Sequence, residues 1–214
     1  IAEEVEDDIA RAFPGAEEFH PDLQSHFGKG FFPTPDQWLH FADTDTIVAF
    51  FGYNESFGGP ERVELFEGEL DAFVRHTLSK AYDMESAPRL VLVSPIAFED
   101  LSATRDLPDG VEENRNLALY TDAMKRVAEK HGLTFIDLFH PSKEAYETAE
   151  ESLTINGFAP SEAGYEKIAA WLADGLYGEK EIESEASVEL VNEAVREKIW
   201  FWQNDYHILN GVHT

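Results

Sequence analysis

Three short apolar runs, separated by stretches of helical periodicity, set the pattern of this chain. They are residues 47–52 (IVAFFG), 89–93 (RLVLV) and 133–138 (LTFIDL), and their length suits strands rather than helices. The first two lack polar alternation, which is typical of strands buried on both faces of a sheet. Helical segments follow each run. The order β-α-β-α-β-α therefore predicts a three-layer α/β/α fold with a parallel sheet and right-handed crossovers.

Apolar residues three and four positions apart predict the helices that cover this sheet. The clearest helix spans residues 61–81, and its predicted apolar face is Val63, Phe66, Leu70, Phe73, Val74 and Leu78. The helix around residues 117–128 is predicted to bury Leu117, Tyr120, Met124, Val127 and Ala128. A third helix begins at Ser161, and its predicted face is Tyr165, Ile168, Ala169, Leu172 and Leu176. Shorter patterns predict an amphipathic helix over residues 1–13, a turn of helix at 35–39 and a polar helix at 141–151.

The C-terminal part has a different character. A charged stretch (GEKEIES) after Tyr177 predicts a linker, and a last amphipathic helix follows it. Trp200, Phe201 and Trp202 are contiguous on that helix, so at least one ring points away from its apolar stripe and needs a cover. We therefore expect an α/β domain over residues 1–178 and an appendage over 179–214, with self-association or partner docking through the three aromatic residues.

The charge balance excludes several classes of partner. The 214 residues include 43 Asp and Glu against 16 Lys and Arg, a net charge of −27, so nucleic acids and anionic membranes would be repelled. No apolar run approaches the roughly 20 residues that span a bilayer, and no targeting segment is visible, so we expect a soluble protein of unassigned compartment. A first residue of Ile indicates a truncated N-terminus. The absence of Cys excludes thiolate nucleophiles, disulfides and zinc–thiolate sites.

The best pointer to function is the turn that follows the first strand. Gly52, Tyr53, Asn54, Glu55 and Ser56 stand between the strand and the next helix. Ligands of open α/β sheets bind at this carboxyl edge, so Asn54 is predicted to line a site; the alternative is an Asn that only stabilises a turn. Ser56 is predicted to be exposed on the same turn, as a weak nucleophile candidate or as a cap of the following helix.

Two further residues lie at the same predicted edge. Ser94 ends the second strand, and His140 follows the third. Either could reach a ligand, with His140 as a base, but a structural hydrogen bond is the simpler interpretation for each. The remaining histidines, among them His20, His26, His40, His207 and His213, show no ligand spacing beside a carboxylate cluster, so no metal site is predicted.

Four segments in order resemble the SGNH, or GDSL-like, hydrolase family, in particular the SGNH-hydrolase-type esterase domains of planctomycete-like bacteria. They are GYNES, RLVLVSPIAFEDL, FIDLF and LTINGFAPSEAGY, within residues 1–178, and the ending NDYHILNG is similar too. The resemblance implies a flavodoxin-like α/β/α fold that hydrolyses acyl or acetyl esters of carbohydrates or lipids with no metal or organic cofactor. Its nucleophile block would lie upstream of residue 1, and nothing between Phe13 and Ile47 resembles its second strand, so the first two strands of the fold would be missing.

The resemblance assigns roles to four positions. Asn54 corresponds to the side-chain donor of the oxyanion hole, and Gly52 would let the backbone pass close to the substrate. Asn156 and Ala159 stand where the family has its catalytic Asp and, three residues later, its His. Ala159 cannot accept a proton, so the chain carries an accessory to ester hydrolysis without the usual base.

Three functional hypotheses follow. The chain is an esterase-lineage hydrolase domain, incomplete or degenerate as given; or it is a non-catalytic binding module derived from that fold; or another chain supplies the missing strands on assembly.

Overall fold

The computed structural model describes residues 34–178 and 185–206, with side chains in the second stretch at residues 188–201. Several sequence predictions lie outside these residues. They are the helix over 1–13, His20, His26, the linker at 179–184, the side chain of Trp202, and the tail with His207 and His213.

The described strands form one parallel sheet in the order β1-β2-β3. They span Thr46–Phe50 (β1), Arg89–Val93 (β2) and Thr134–Ile136 (β3). Thr46 is paired with Arg89 and Phe50 with Val93, while Val91 is paired with Thr134 and Val93 with Ile136. All three strands therefore end at the same edge, and the predicted parallel α/β sheet is confirmed.

One described helix precedes β1 and the others lie between and after the strands, with bounds close to the predicted ones. They are α1 (Pro35–Phe41), α2 (Tyr53–Ser56), a 3-10 turn (Pro60–Arg62), α3 (Val63–Leu78), α4 (Val111–His131), α5 (Phe139–Thr148), α6 (Glu162–Tyr177) and α7 (Glu185–Tyr206). Gly132, with φ of 65°, ends α4 in the left-handed conformation that suits glycine. The threonine at position 34 begins α1 as a capping box with Gln37.

Helices cover both faces of the sheet, and alternating strand residues decide which helix they contact. Leu90 and Leu92 point to the face covered by α3 and α4, where the predicted apolar residues of both helices pack except Leu117, which is buried in a separate cluster with Phe98 and Phe139. Val91 and Val93 point to the opposite face, which α6 covers with Ile168, Trp171, Leu172 and Leu176. The predicted three layers are therefore present in the described residues.

Two predicted surfaces are wrong in detail. β1 was expected to be buried on both faces, but Phe50, its last residue, is 56% exposed and lines a pocket at the end of the strand. The apolar face of α6 was also misplaced. Tyr165 and Ala169 are exposed and Trp171 packs instead, because the face of α6 that contacts the sheet is rotated about the helix axis by part of a turn from the predicted face.

The chain divides after Leu176 into two compact units. The second unit contains α7, on which seven large apolar residues are exposed: Val188, Leu190, Val191, Val195, Ile199, Trp200 and Phe201. Among the described residues, no helix has both the length and the apolar character to cross a bilayer.

Candidate functional site

Four loops meet where the strands end. They follow β1, β2 and β3 and precede α6, and they enclose a pocket of about 510 Å³. The described residues that line it are Phe50, Phe51, Tyr53, Asn54, Glu55, Ser94, Pro95, Ile96, Leu138, Phe158, Pro160, Tyr165 and Ile168. Most of these side chains are apolar. Phe158 and Pro160 belong to this lining, whereas Asn156 and Ala159, the positions that the resemblance assigns to the acid and the base, do not.

Gly52 directs the chain from β1 into the short helix α2. Its φ of 96° lies in the left-handed region that favours glycine. A Cβ here would lie 3.1 Å from Met124 Sδ and 3.3 Å from Pro95 Cδ. The Gly52 N–H donates to Glu55 Oε2 at 2.9 Å. The close approach at Gly52 in the structure is thus to Met124 and Pro95, whereas the resemblance implies an approach to substrate.

Asn54 lies on α2 with its side chain exposed. It borders the apolar pocket and also a more polar groove of about 370 Å³ on the other side of α2. That groove is lined by Asn54, Glu55, Gly58, Glu61, Arg62, Leu65, Phe66, Glu69 and Tyr120. Within the described residues, the Asn54 amide is therefore accessible to a ligand in either cavity.

Tyr53, next to Asn54, joins α2 to the loop that precedes α6. Its ring stacks on Phe158 with centroids 5.1 Å apart, and Phe57 contacts it edge-on at 5.5 Å. Burial, together with the charge of Glu113, raises the pKa of Tyr53 above its usual value. Tyr53 is therefore a neutral, aromatic wall of the pocket at physiological pH.

The loop with Asn156 and Ala159 closes on itself. Asn156 Oδ1 accepts the backbone N–H of Ala159 at 2.9 Å and that of Phe158 at 3.4 Å. The Ile155 N–H donates to the Ala159 carbonyl at 2.7 Å. In the described structure the Asn156 side chain thus stabilises its own turn, as an Asn-Gly turn residue does, and Ala159 offers a methyl group.

Ser56 does not match its prediction. It is only 5% exposed, whereas we expected an exposed hydroxyl. Its Oγ donates to the Tyr53 carbonyl at 2.7 Å, so it bonds back within α2 and does not cap the following helix. The reason is local: α2 turns this side chain inward, whereas Asn54 points outward.

Ser94 and His140 both make structural contacts. Ser94 is fully buried, and its Oγ accepts the N–H groups of Leu138 and Phe139 at 2.8 and 3.1 Å while donating to the Pro95 carbonyl at 3.1 Å. His140 Nδ1 lies 2.6 Å from Asp137 Oδ2, and its side chain is 60% exposed. His140 is not among the residues that line the pocket.

Three contributors to the site carried no clear sequence signal. Tyr53, Phe158 and Glu99 all stand in segments of the sequence that show no strand or helix periodicity. In the structure Glu99 is buried and its carboxylate accepts hydrogen bonds from Leu153 and Thr154. Within residues 34–178 and 185–206, no three His, Asp or Glu side chains are grouped as metal ligands.

Comparison with known proteins gives a family. The sequence model described as the GDSL-like Lipase/Acylhydrolase family matches residues 2–167. Among curated proteins, none matches the chain.

Solved structures resemble the fold. Axe2, an acetylxylan esterase from Geobacillus stearothermophilus, superposes with a TM-score of 0.52 at 17% identity, covering 77% of this chain and 70% of its own. A GDSL-like lipase from Parabacteroides merdae superposes with a TM-score of 0.51 at 16% sequence identity, covering 72% of this chain and 66% of its own. LAE5, an alpha/beta hydrolase from the metagenome of Lake Arreo, superposes with a TM-score of 0.50 at 19% sequence identity, covering 65% of this chain. The chain spans 63% of the length of LAE5.

Proposed function

The chain belongs to the GDSL-like lipase/acylhydrolase family, and from this premise we propose that it is an ester-hydrolysing domain, incomplete or degenerate as given, that binds acyl or acetyl esters in the pocket beside Asn54. The observation that carries the proposal is that the Asn54 turn and the 156–160 loop border one pocket at the carboxyl edge of the sheet. Ligands of open α/β sheets bind at that edge.

Asn54 is proposed as the donor to the oxyanion. An amide side chain aimed at a carbonyl oxygen stabilises the negative charge that develops during acyl transfer, and one such donor contributes roughly 10²- to 10³-fold. Asn54 is exposed and borders the pocket. Both properties support this role.

The lining of the pocket favours an ester with an apolar or ring-shaped part. Phe50, Tyr53, Phe158 and Tyr165 contribute aromatic surface, and such surface binds acyl groups and the faces of sugar rings. Net charge of −27 disfavours polyanionic substrates. We therefore propose neutral carbohydrate or lipid esters as the substrate class, with no metal or organic cofactor.

Hydrolysis can be tested with 4-nitrophenyl acetate. We expect the parent chain to hydrolyse it faster than Asn54→Ala, and Ala159→His to exceed the parent, because an imidazole at position 159 restores a proton acceptor. Asn192→Ala, which removes an exposed amide from α7, is the matched control and should equal the parent. A parent rate equal to that of Asn54→Ala would remove Asn54 from the reaction.

A non-catalytic binding module is the second candidate, and a specific observation favours it. The positions of the family's acid and base carry Asn156 and Ala159, and the Asn156 amide is used by its own turn. Binding of 4-nitroacetanilide, the amide counterpart of the ester, separates the two functions. A parent that binds the amide but hydrolyses no ester is a module; one that does neither contradicts both candidates.

A docking role is proposed for α7. Trp200 and Phe201 contact each other edge-on at 5.1 Å and remain largely exposed within their unit. Self-association through this helix should appear in light scattering as a mass that falls toward the monomer in Trp200→Ser/Phe201→Ser. A parent that is monomeric at high concentration would contradict self-association through α7. Docking of a different partner would then be the role to test.

A further inference from the structure

The 153–160 loop, which borders the pocket, is anchored by a buried carboxylate. Glu99 is 6% exposed. Its Oε1 accepts the Leu153 N–H at 3.0 Å, and its Oε2 accepts the Thr154 N–H at 2.7 Å and the Thr154 hydroxyl at 2.6 Å. Hydrogen bonds to a charged acceptor are stronger than neutral ones, and a buried carboxylate depends on them. The loop therefore provides the partners that this carboxylate needs.

The anchor extends to the middle of the loop. Thr154 Oγ1 accepts the Gly157 N–H at 3.0 Å, and the Glu99 N–H donates to the Gly157 carbonyl at 2.8 Å. A Cβ on Gly157 would lie 2.3 Å from Phe98 Cζ. Gly157 is thus held between the Phe98 ring and the backbone of Glu99, one residue before Phe158.

The base of the anchor is itself fixed to α4. Asn114 receives the Phe98 N–H on Oδ1 and donates from Nδ2 to the Phe98 carbonyl, both at 2.8 Å. Phe98 also packs in a cluster with Ala97, Leu117 and Phe139. Residues 97–99 therefore link a long core helix to the loop that contains Phe158.

We infer that Glu99 is a positioning residue, whose buried carboxylate holds the 153–160 loop so that Phe158 stacks on Tyr53 and forms a wall of the pocket. The pocket's role as an ester site rests on the proposed function, but the position of the wall does not. Glu99 itself does not line the pocket, so it acts through Thr154 and Gly157.

Two variants of the full chain test the inference. Glu99→Gln turns one oxygen into a donor that faces N–H groups, and Thr154→Val removes the hydroxyl while keeping the shape of the side chain. Thr154→Ser keeps the hydroxyl and should behave like the parent, in contrast to Thr154→Val. Thr121→Val is the matched control, because Thr121 Oγ1 is buried and bonds to no described residue.

Three readouts separate positioning from a merely structural role. They are amide exchange at Leu153, Thr154 and Gly157, the NMR cross-peak between the Tyr53 and Phe158 rings, and the dissociation constant for 4-nitroacetanilide. In Glu99→Gln and Thr154→Val we expect exchange to accelerate about tenfold or more, the ring cross-peak to weaken, and the dissociation constant to rise about tenfold. Thr121→Val and Thr154→Ser should leave all three unchanged.

The outcomes are distinguishable. Parental ring contact in both variants overturns the inference, even if loop exchange accelerates, because the carboxylate then stabilises the loop without placing Phe158. If Glu99→Gln fails to fold, Thr154→Val decides alone. If the parent neither binds 4-nitroacetanilide nor hydrolyses 4-nitrophenyl acetate, the proposed function fails, whereas exchange and ring contact still decide whether Glu99 positions the wall.

Discussion

The ring of Tyr53 stacks on the ring of Phe158 with centroids 5.1 Å apart, although 104 residue positions separate them in the chain. The contact joins the turn that carries Asn54 to the loop that carries Ala159. It therefore brings together the two segments that the proposed ester site requires.

Phe158→Ala should weaken both the pocket and the fold. Aromatic pairs contribute about 0.5–1.5 kcal/mol beyond the area they bury, so we expect a loss of at least that size in urea unfolding, with weaker binding of 4-nitroacetanilide. Phe57→Ala is the matched control, since Phe57 also contacts Tyr53 but does not line the pocket. Equal effects of both variants on binding would contradict a specific role for Phe158.

Ser94→Ala should act on stability. The hydroxyl is buried and accepts two backbone N–H groups, and leaving buried donors unpaired costs about 1–3 kcal/mol. Chemical denaturation should show this loss, whereas Ser102→Ala, at an exposed loop position, should change little. An unchanged unfolding free energy together with lost ester binding would instead assign Ser94 to the ligand.

His140→Ala should leave ester hydrolysis at the parental rate. The imidazole is paired with Asp137 and is mostly exposed, and exposed pairs typically contribute about 0–1 kcal/mol. A small change in the thermal midpoint is therefore the expected effect. Loss of hydrolysis in a variant that remains folded would identify His140 as a base and would revise the position of the site.

Asp71 should make the fold sensitive to acid. The hydrogen bonds from Lys130 and then His131 hold the pKa of Asp71 well below its usual value of 3.8. A lowered pKa means that the folded state favours the ionised form, so the stabilisation is complete above about pH 4 and is lost as the pH falls further.

The measurement is the unfolding free energy of the parent and Asp71→Asn from pH 7 down to pH 2. The parent should be more stable at neutral pH, and the difference should shrink below about pH 4. Glu166→Gln, at an exposed position on α6, is the control and should give a nearly constant difference. A gap between the parent and Asp71→Asn that stays constant with pH would contradict the ion-pair origin.

The fold was predictable because the signals for its elements are local. The strand at 89–93 and the apolar faces of α3 and α4 follow from residue spacing, and the structure confirms them. Burial of β1 was mispredicted because Phe50, the last residue of the strand, lines the pocket, and an apolar run alone does not show where its cover ends. The predicted burial of Tyr165 was also wrong, because residue spacing predicts that a helix has an apolar face but does not fix how that face is rotated toward the sheet.

The site was predictable only where the order of strands and helices along the chain determines which loops meet. Asn54 and the 156–159 loop follow strands or precede a helix at one edge, so their meeting could be expected from topology. The burial of Ser56 could not be expected, because it depends on the four-residue helix α2, which has too few residues to show a periodic pattern. Nor could the burial of Glu99, since a glutamate in an acidic chain is usually solvated and its partners lie more than 50 residues away.

The 153–160 loop is held by Glu99, by Asn156 and by backbone hydrogen bonds, and the side chain at position 159 makes none of these contacts. A saturation library at this single codon should therefore yield folded proteins that differ in chemistry alone. Imidazole, carboxylate or thiol groups could be installed there one at a time, which makes the loop a ready scaffold for enzyme engineering.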